Sequence, residues 1–178
     1  MQKIIITYGI IAGIIVSTIM VLTHPLFDKG VINYDMGMVV GYTSMVIALS
    51  VIFFGIKTYR DQHGKGRITF GQGLKIGLFI TLIASLLYAI TWEVYYNTTA
   101  HDFMAKYTQY ELDKLAREGA TPAVIEEERK SMAELAALYE NPLIRFGMTI
   151  TEIFPVGILI SLLAAALLRK KEVLPANA

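Results

Sequence analysis

Apolar positions in this chain are gathered into four long blocks, covering roughly residues 4–24, 36–56, 74–96 and 143–168. A helix needs about 20 apolar residues to cross the hydrocarbon core of a bilayer. Within lipid only a helix or a closed barrel satisfies every backbone polar group. Each block therefore predicts a membrane-spanning helix. The expected fold class is all-α: an integral membrane four-helix bundle in which residues 1–178 form a single membrane domain. Residues 98–141, rich in charge, are expected to form an extracytoplasmic helical hairpin between spans three and four.

The pattern inside that insertion is helical in two pieces. Phe103, Tyr107 and Tyr110 recur at helical spacing, with Leu115 near the same side, and the piece stops before Gly119. Thr121-Pro122 then supplies an N-cap and a proline at the first helical position. Glu126, Glu127 and Glu128 sit near the start of this second helix, where its dipole favours acids, and Ile125, Met132, Leu135 and Tyr139 line one face. Asn141-Pro142 is expected to stop it. The plain expectation is that these apolar faces pack on each other or on the ends of the spans. The alternatives are a docking surface for a partner or a lid over the bundle.

Charge sets the orientation. Lys3 precedes the first span, Lys57, Arg60, Lys65, Arg67 and Lys75 surround the link between spans two and three, and Arg169-Lys170-Lys171 follows the fourth. The loop after span one carries Asp28, Lys29 and Asp35, so it is not basic. By the positive-inside rule both termini are cytoplasmic. Trp92, Tyr95 and Tyr96 close the third span on the outer side, where amphipathic rings prefer to sit. The first block is longer than a secretory h-region. It runs into Thr23-His24-Pro25 without an Ala-x-Ala pattern, so it reads as a retained span ending there.

Composition removes several classes of function. A net charge of +1 argues against a nucleic-acid partner. There is no cysteine, hence no disulfide and no thiolate chemistry. His24, His63 and His101 fall in three separate segments without metal-ligand spacing, and no metal or other cofactor is expected. The segment Arg67-Ile68-Thr69-Phe70-Gly71-Gln72-Gly73 lacks the Gly-Lys-Ser/Thr of a phosphate loop and follows no strand, so it reads as a turn in which Thr69 caps the third span. With no nucleophile motif either, the chain is not expected to be an enzyme.

Helices in lipid associate through small residues that allow close approach. Gly9 and Gly13, Gly37 and Gly41, and Gly73 and Gly77 are four apart in the first three spans, and Gly157, Ser161 and Ala165 repeat that spacing in the fourth. One such set per span serves a compact bundle or, equally, a homo-oligomer.

An ionisable group inside a span is costly and marks a functional position by default. Glu152 lies about nine residues into the fourth block, with Pro155 three residues later, and Arg145 and Thr149 precede it on a similar face. Glu93 lies among the aromatic residues at the outer end of span three. Together Glu152, Arg145, Thr149 and Glu93 form a candidate intramembrane polar site. One reading is an outward-opening pocket whose carboxylate binds a cation or carries a proton. The other, preferred because no internal repeat is visible, is a buried Glu152 satisfied by Arg145 or a tyrosine hydroxyl.

The stretches Gly41-Tyr42-Thr43-Ser44-Met45, Phe53-Phe54-Gly55-Ile56-Lys57 and Ile68-Thr69-Phe70-Gly71-Gln72-Gly73-Leu74-Lys75-Ile76-Gly77, with three spans, a charged insertion and a last span, resemble an uncharacterised bacterial family of four-span membrane proteins classed as a domain of unknown function. The resemblance implies that topology and the bacterial inner membrane, and no activity. The expected function is a non-enzymatic scaffold or partner-binding subunit, its partners being the bilayer and a protein or second copy. The alternative is a small transporter or channel component using Glu152.

Overall fold

A computed structural model describes residues 1–170, with the side chain of Asp28 set aside. Lys171, the last member of the C-terminal basic run, lies outside the described residues. The spans are α1 (Gln2–Asp28), a second span broken into α2 (Tyr34–Leu49) and α3 (Val51–Gln62), α4 (Phe70–Thr98) and α7 (Pro142–Leu168); α5 (Phe103–Arg117) and α6 (Pro122–Tyr139) form a hairpin between α4 and α7. Among the described residues four helical segments are long and apolar enough to cross a membrane, and the protein is a multi-pass membrane protein. Among the described residues there is no strand, only an isolated bridge from Ile68 to Lys170 that ties the link before α4 to the end of α7.

Local chemistry explains most of the boundaries. Thr69 accepts from the Gln72 N–H while the Gln72 side chain accepts from the Thr69 N–H, a capping box that starts α4. Thr121 caps α6 ahead of Pro122. Asn141 and Pro142 follow the end of α6 at Tyr139, as expected, and also open the next helix. They are the N-cap and first residue of α7, with the Asn141 side chain accepting from the Leu143 N–H at 3.0 Å. The first span corrects the reading. It passes through Pro25 and ends at Asp28, because proline costs one hydrogen bond in a helix but does not forbid one.

The second span is interrupted at Ser50, whose hydroxyl donates to the Ile47 carbonyl at 2.6 Å. Such back-bonding competes with the helix ladder and bends it. The break matters for packing. α3 packs on α1, α4 and α7, whereas α2 packs chiefly on α1 and α7. The bundle is thus closed at the end where α1 begins and α7 finishes, and opens towards the hairpin.

α4 is the central helix, flanked by α1 and α7. Small residues make these contacts close. A Cβ added to Gly9 would stand 2.7 Å from Ile83, one on Gly13 2.7 Å from Leu87, and one on Gly77 2.7 Å from Ser161; Gly73 faces Ala165, Gly157 meets Thr81, and Gly37 meets Phe27. Gly41 departs from the expectation of a packing glycine, having no atom within 4 Å of the place a Cβ would take. The core runs through Val16, Met45, Leu49, Ile52, Ile76 and Ile80. Two polar contacts add register: Tyr8 with Thr58 at 2.8 Å and Thr81 with Ser161 at 3.3 Å. Outward, Leu159, Leu163 and Leu167 form an exposed stripe on α7 that lipid would cover.

The turn between α3 and α4 holds Lys65 at φ 49°, in the left-handed region. A side chain costs about 1 kcal/mol there. Lys65→Gly is expected to raise stability by about that amount, seen as a higher denaturation midpoint; an unchanged midpoint would show that the turn relaxes without strain.

Candidate functional site: a carboxylate at the mouth of an aromatic cavity

The four polar residues singled out in the sequence divide into two places. Arg145 and Glu93 form a bidentate pair. Arg145 Nε donates to Glu93 Oε1 at 2.9 Å and Nη2 to Oε2 at 2.6 Å, while Nη1 donates to the Tyr139 carbonyl at 3.0 Å. The guanidinium also lies 4.0 Å from the centroid of the Tyr96 ring. Its side chain is only 2% exposed and that of Glu93 18%. This cluster fastens α4 to α7 and to the last residue of α6. Arg145 is therefore engaged away from Glu152.

Thr149 is buried and donates to the Arg145 carbonyl at 2.9 Å, continuing the packed stripe of α7 through Ile153 and Gly157. Glu152 stands at the edge of that stripe and is exposed. Among the described residues no hydrogen bond or ion pair reaches its carboxylate. This corrects the expectation of a Glu152 buried and satisfied by Arg145 or a tyrosine hydroxyl. The cause is distance along the helix and a competing partner: positions 145 and 152 lie about 20° apart around α7 but about 10 Å apart along it, and Arg145 turns to Glu93 on α4 instead.

Glu152 and Thr149 line a cavity of about 380 Å³ in the open half of the bundle. Its walls come from α1, α2, α4 and α7, and its roof from Phe103 and Tyr107 of α5 and Tyr139 of α6. The roof is a continuous ring cluster. Phe103 meets Trp92 edge-on at 5.3 Å between centroids, His24 lies 5.6 Å from Trp92, and Tyr34 lies 5.3 Å from Tyr107. The Trp92 indole N–H donates to the Tyr139 hydroxyl at 2.7 Å. Burial pushes the Tyr139 and Tyr107 hydroxyl pKa values above the usual phenol range, so both rings stay neutral. Lys114 donates to Asp35 at 2.8 Å, which raises the lysine pKa and ties the hairpin to the start of α2.

Of the lining residues, only Met38 and Tyr42 on α2 and Glu152 on α7 are exposed. The cavity therefore opens sideways between α2 and α7. Glu152 is ten residues into α7, on the order of 15 Å along the axis, and Tyr42 is eight residues into α2. Gly41, beside Tyr42, lines the same space instead of packing. A carboxylate in this position can hold a cation or exchange a proton, while the rings around it exclude bulk water.

Sequence reasoning took Phe103, Tyr107 and Tyr139 as hairpin packing residues and His24 as an isolated histidine. The signal that gathers them was present: aromatic residues and His24 all fall at the same predicted end of the bundle. Among the described residues no group of three or more His, Asp or Glu side chains is arranged to hold a metal ion.

No curated protein and no solved structure matches the chain. A family model does: residues 7–170 match the model described as "Protein of unknown function (DUF4199)", nearly the full length, and the chain belongs to that family.

Proposed function

We propose that this is a non-enzymatic protein of the bacterial inner membrane that binds a small ligand in the hairpin-roofed cavity. It is closer to a transporter or channel component working through Glu152 than to an inert scaffold. The observation that carries this reading is the position of Glu152: a carboxylate at membrane depth, at the mouth of a cavity, with no partner side chain among the described residues. A carboxylate kept only for structure would be paired, since an unpaired charge at bilayer depth is costly.

Both termini are proposed to be cytoplasmic and the hairpin external. Lys57, Arg60, Lys65, Arg67, Arg169 and Lys170 gather at the end of the bundle opposite the hairpin, which supports this orientation. A partner-binding role, with another protein or a second copy, has the exposed Val124 and Leu138 of α6 in its favour.

The absence of cysteine allows a direct test. Single cysteines at His63, Glu127 and Glu152 are to be treated in intact cells with a small, charged, membrane-impermeant thiosulfonate. Labelling at 127 and none at 63 until the membrane is permeabilised is the expected result, with 152, which opens to lipid and not to bulk water, labelled only by a small membrane-permeant maleimide used in parallel. Reversal of 63 and 127 would overturn the orientation. Protection of 152 from both reagents in a folded protein would overturn the ligand-cavity reading.

A further inference from the structure

We propose that the cavity takes an organic cation carrying an alkylated ammonium group, entering from the bilayer through the gap between α2 and α7. The inference rests on the ligand-cavity reading above and adds the chemistry of the ligand.

Three features select this class. First, Glu152 is the only Asp, Glu, Lys or Arg side chain that lines the cavity among the described residues, so the net field favours a positive charge. The nearby cation, Arg145, is occupied by Glu93 and stands outside the lining. An anionic ligand would meet repulsion and no counter-charge. Second, the remaining lining is dominated by aromatic rings, including Phe27, Tyr34, Tyr88, Trp92 and Phe103. Ring faces attract cations, and aromatic cages are the characteristic receptors of methylated ammonium groups, which are too weakly hydrated to resist transfer. A bare metal ion is the wrong guest. It demands several oxygen ligands, and no group of three metal-ligating side chains exists among the described residues. Third, the exposed rim of Met38, Tyr42 and Glu152 lies along the sides of two spans, at the level of lipid chains. A guest with an apolar tail can leave that tail between α2 and α7 while its head sits under the aromatic roof. The cavity, about 380 Å³, suits a head group with a few attached carbons and not a whole lipid.

The chain carries its own probe, because its single tryptophan, Trp92, lines the cavity. The experiment is a tryptophan-fluorescence titration of the full-length protein in nanodiscs. The ligands are dodecyltrimethylammonium, tetramethylammonium and, as a neutral isostere of the first, a dodecyl chain ending in a tert-butyl group. The expected result is a saturable change with dodecyltrimethylammonium that weakens about tenfold or more in Glu152→Gln and is absent with the isostere. Glu152→Gln should elute and melt like the parent, and Glu152→Asp should retain part of the affinity. Tetramethylammonium saturating the same response at equal occupancy would assign the cation to water instead of the bilayer, overturning the lateral route while keeping the ammonium head. If the isostere binds as well as the cation, or Glu152→Gln binds unchanged, the cation assignment falls and the cavity reading stands. If no ligand binds while the cysteine at 152 is labelled, the ligand class is wrong. If that cysteine is also protected, the cavity reading fails with it.

Discussion

Replacing Arg145 with methionine is expected to destabilise the folded protein by about 3–5 kcal/mol, the range seen when one partner of a buried ion pair is removed. The side chain does four things at once. Two of its nitrogens grip Glu93, a third holds the Tyr139 carbonyl at the end of α6, and the flat guanidinium covers the Tyr96 ring. Removing it leaves Glu93 at 18% exposure without its counter-charge. The informative measurement is a mutant cycle, read by reversible unfolding in mixed micelles. Arg145→Met should be costly, and Glu93→Gln should also be costly, since it strands the guanidinium. The double variant should recover most of the loss, because no uncompensated charge remains. Arg145→Lys should fall between, since an ammonium cannot make the two-pronged contact or stack as flatly. Additive losses in the double variant would show that the two residues act separately and would refute the pair as the fastening of α4 to α7.

The second large effect is steric. Gly157 lies where α7 crosses α4, and a Cβ there would run into the Thr81 side chain, which is fully buried. Thr81 cannot yield easily: its hydroxyl donates to the Gly77 carbonyl at 3.0 Å and lies 3.3 Å from the Ser161 hydroxyl. Gly157→Ala is expected to cost about 1–3 kcal/mol, the usual range for overpacking, and Gly157→Leu to separate the helices outright. Thr81→Ala combined with Gly157→Ala should return part of the loss, since it removes the atoms that collide. Equal stability of Gly157→Ala and the parent protein would mean that the crossing is loose. Gly41→Ala is the matched control. With nothing within 4 Å, it should cost no stability and add up to about 1 kcal/mol from the better helix propensity of alanine.

These two sites show what could be read from the chain and what could not. Span positions were legible because a bilayer imposes a length and a hydropathy that no soluble helix needs. Helix starts at Thr69 and Thr121 were legible because caps are local chemistry between residues two or three apart. The same locality told half the story at Asn141-Pro142, where the expected stop of α6 is also the start of α7, and it misled at Pro25, where the helix continued. Small-residue spacing located the close crossings of α1 and α7 on α4. It could not tell that Gly41 faces a cavity, because a glycine beside a void and a glycine beside a neighbour have the same sequence signature. The polar site was legible as a set of residue types and illegible as a geometry. Arg145, Thr149 and Glu152 are close on one helix, so the sequence suggests that they act together. The partner that wins Arg145 is Glu93, 52 positions earlier on another span. No periodicity reports a choice of that kind. The aromatic roof was hidden for the same reason. His24, Trp92, Phe103 and Tyr139 meet only after four spans and a hairpin have been arranged.

The distance in sequence between Glu93 and Arg145 also bears on how the protein is made. Synthesis runs from the N-terminus, so α4 leaves the ribosome with its carboxylate long before the matching guanidinium exists. Glu93 lies five residues from the end of its helix, among Trp92, Tyr95 and Tyr96. Head groups and water at that level can shelter the charge during the wait, which the middle of the bilayer could not. Arrival of α7 then supplies the missing cation and fixes α4, the base of the hairpin and the last span in one event. Biogenesis accordingly has a built-in order, and a chain truncated before position 145 would reach the membrane with its third span inserted but unlatched.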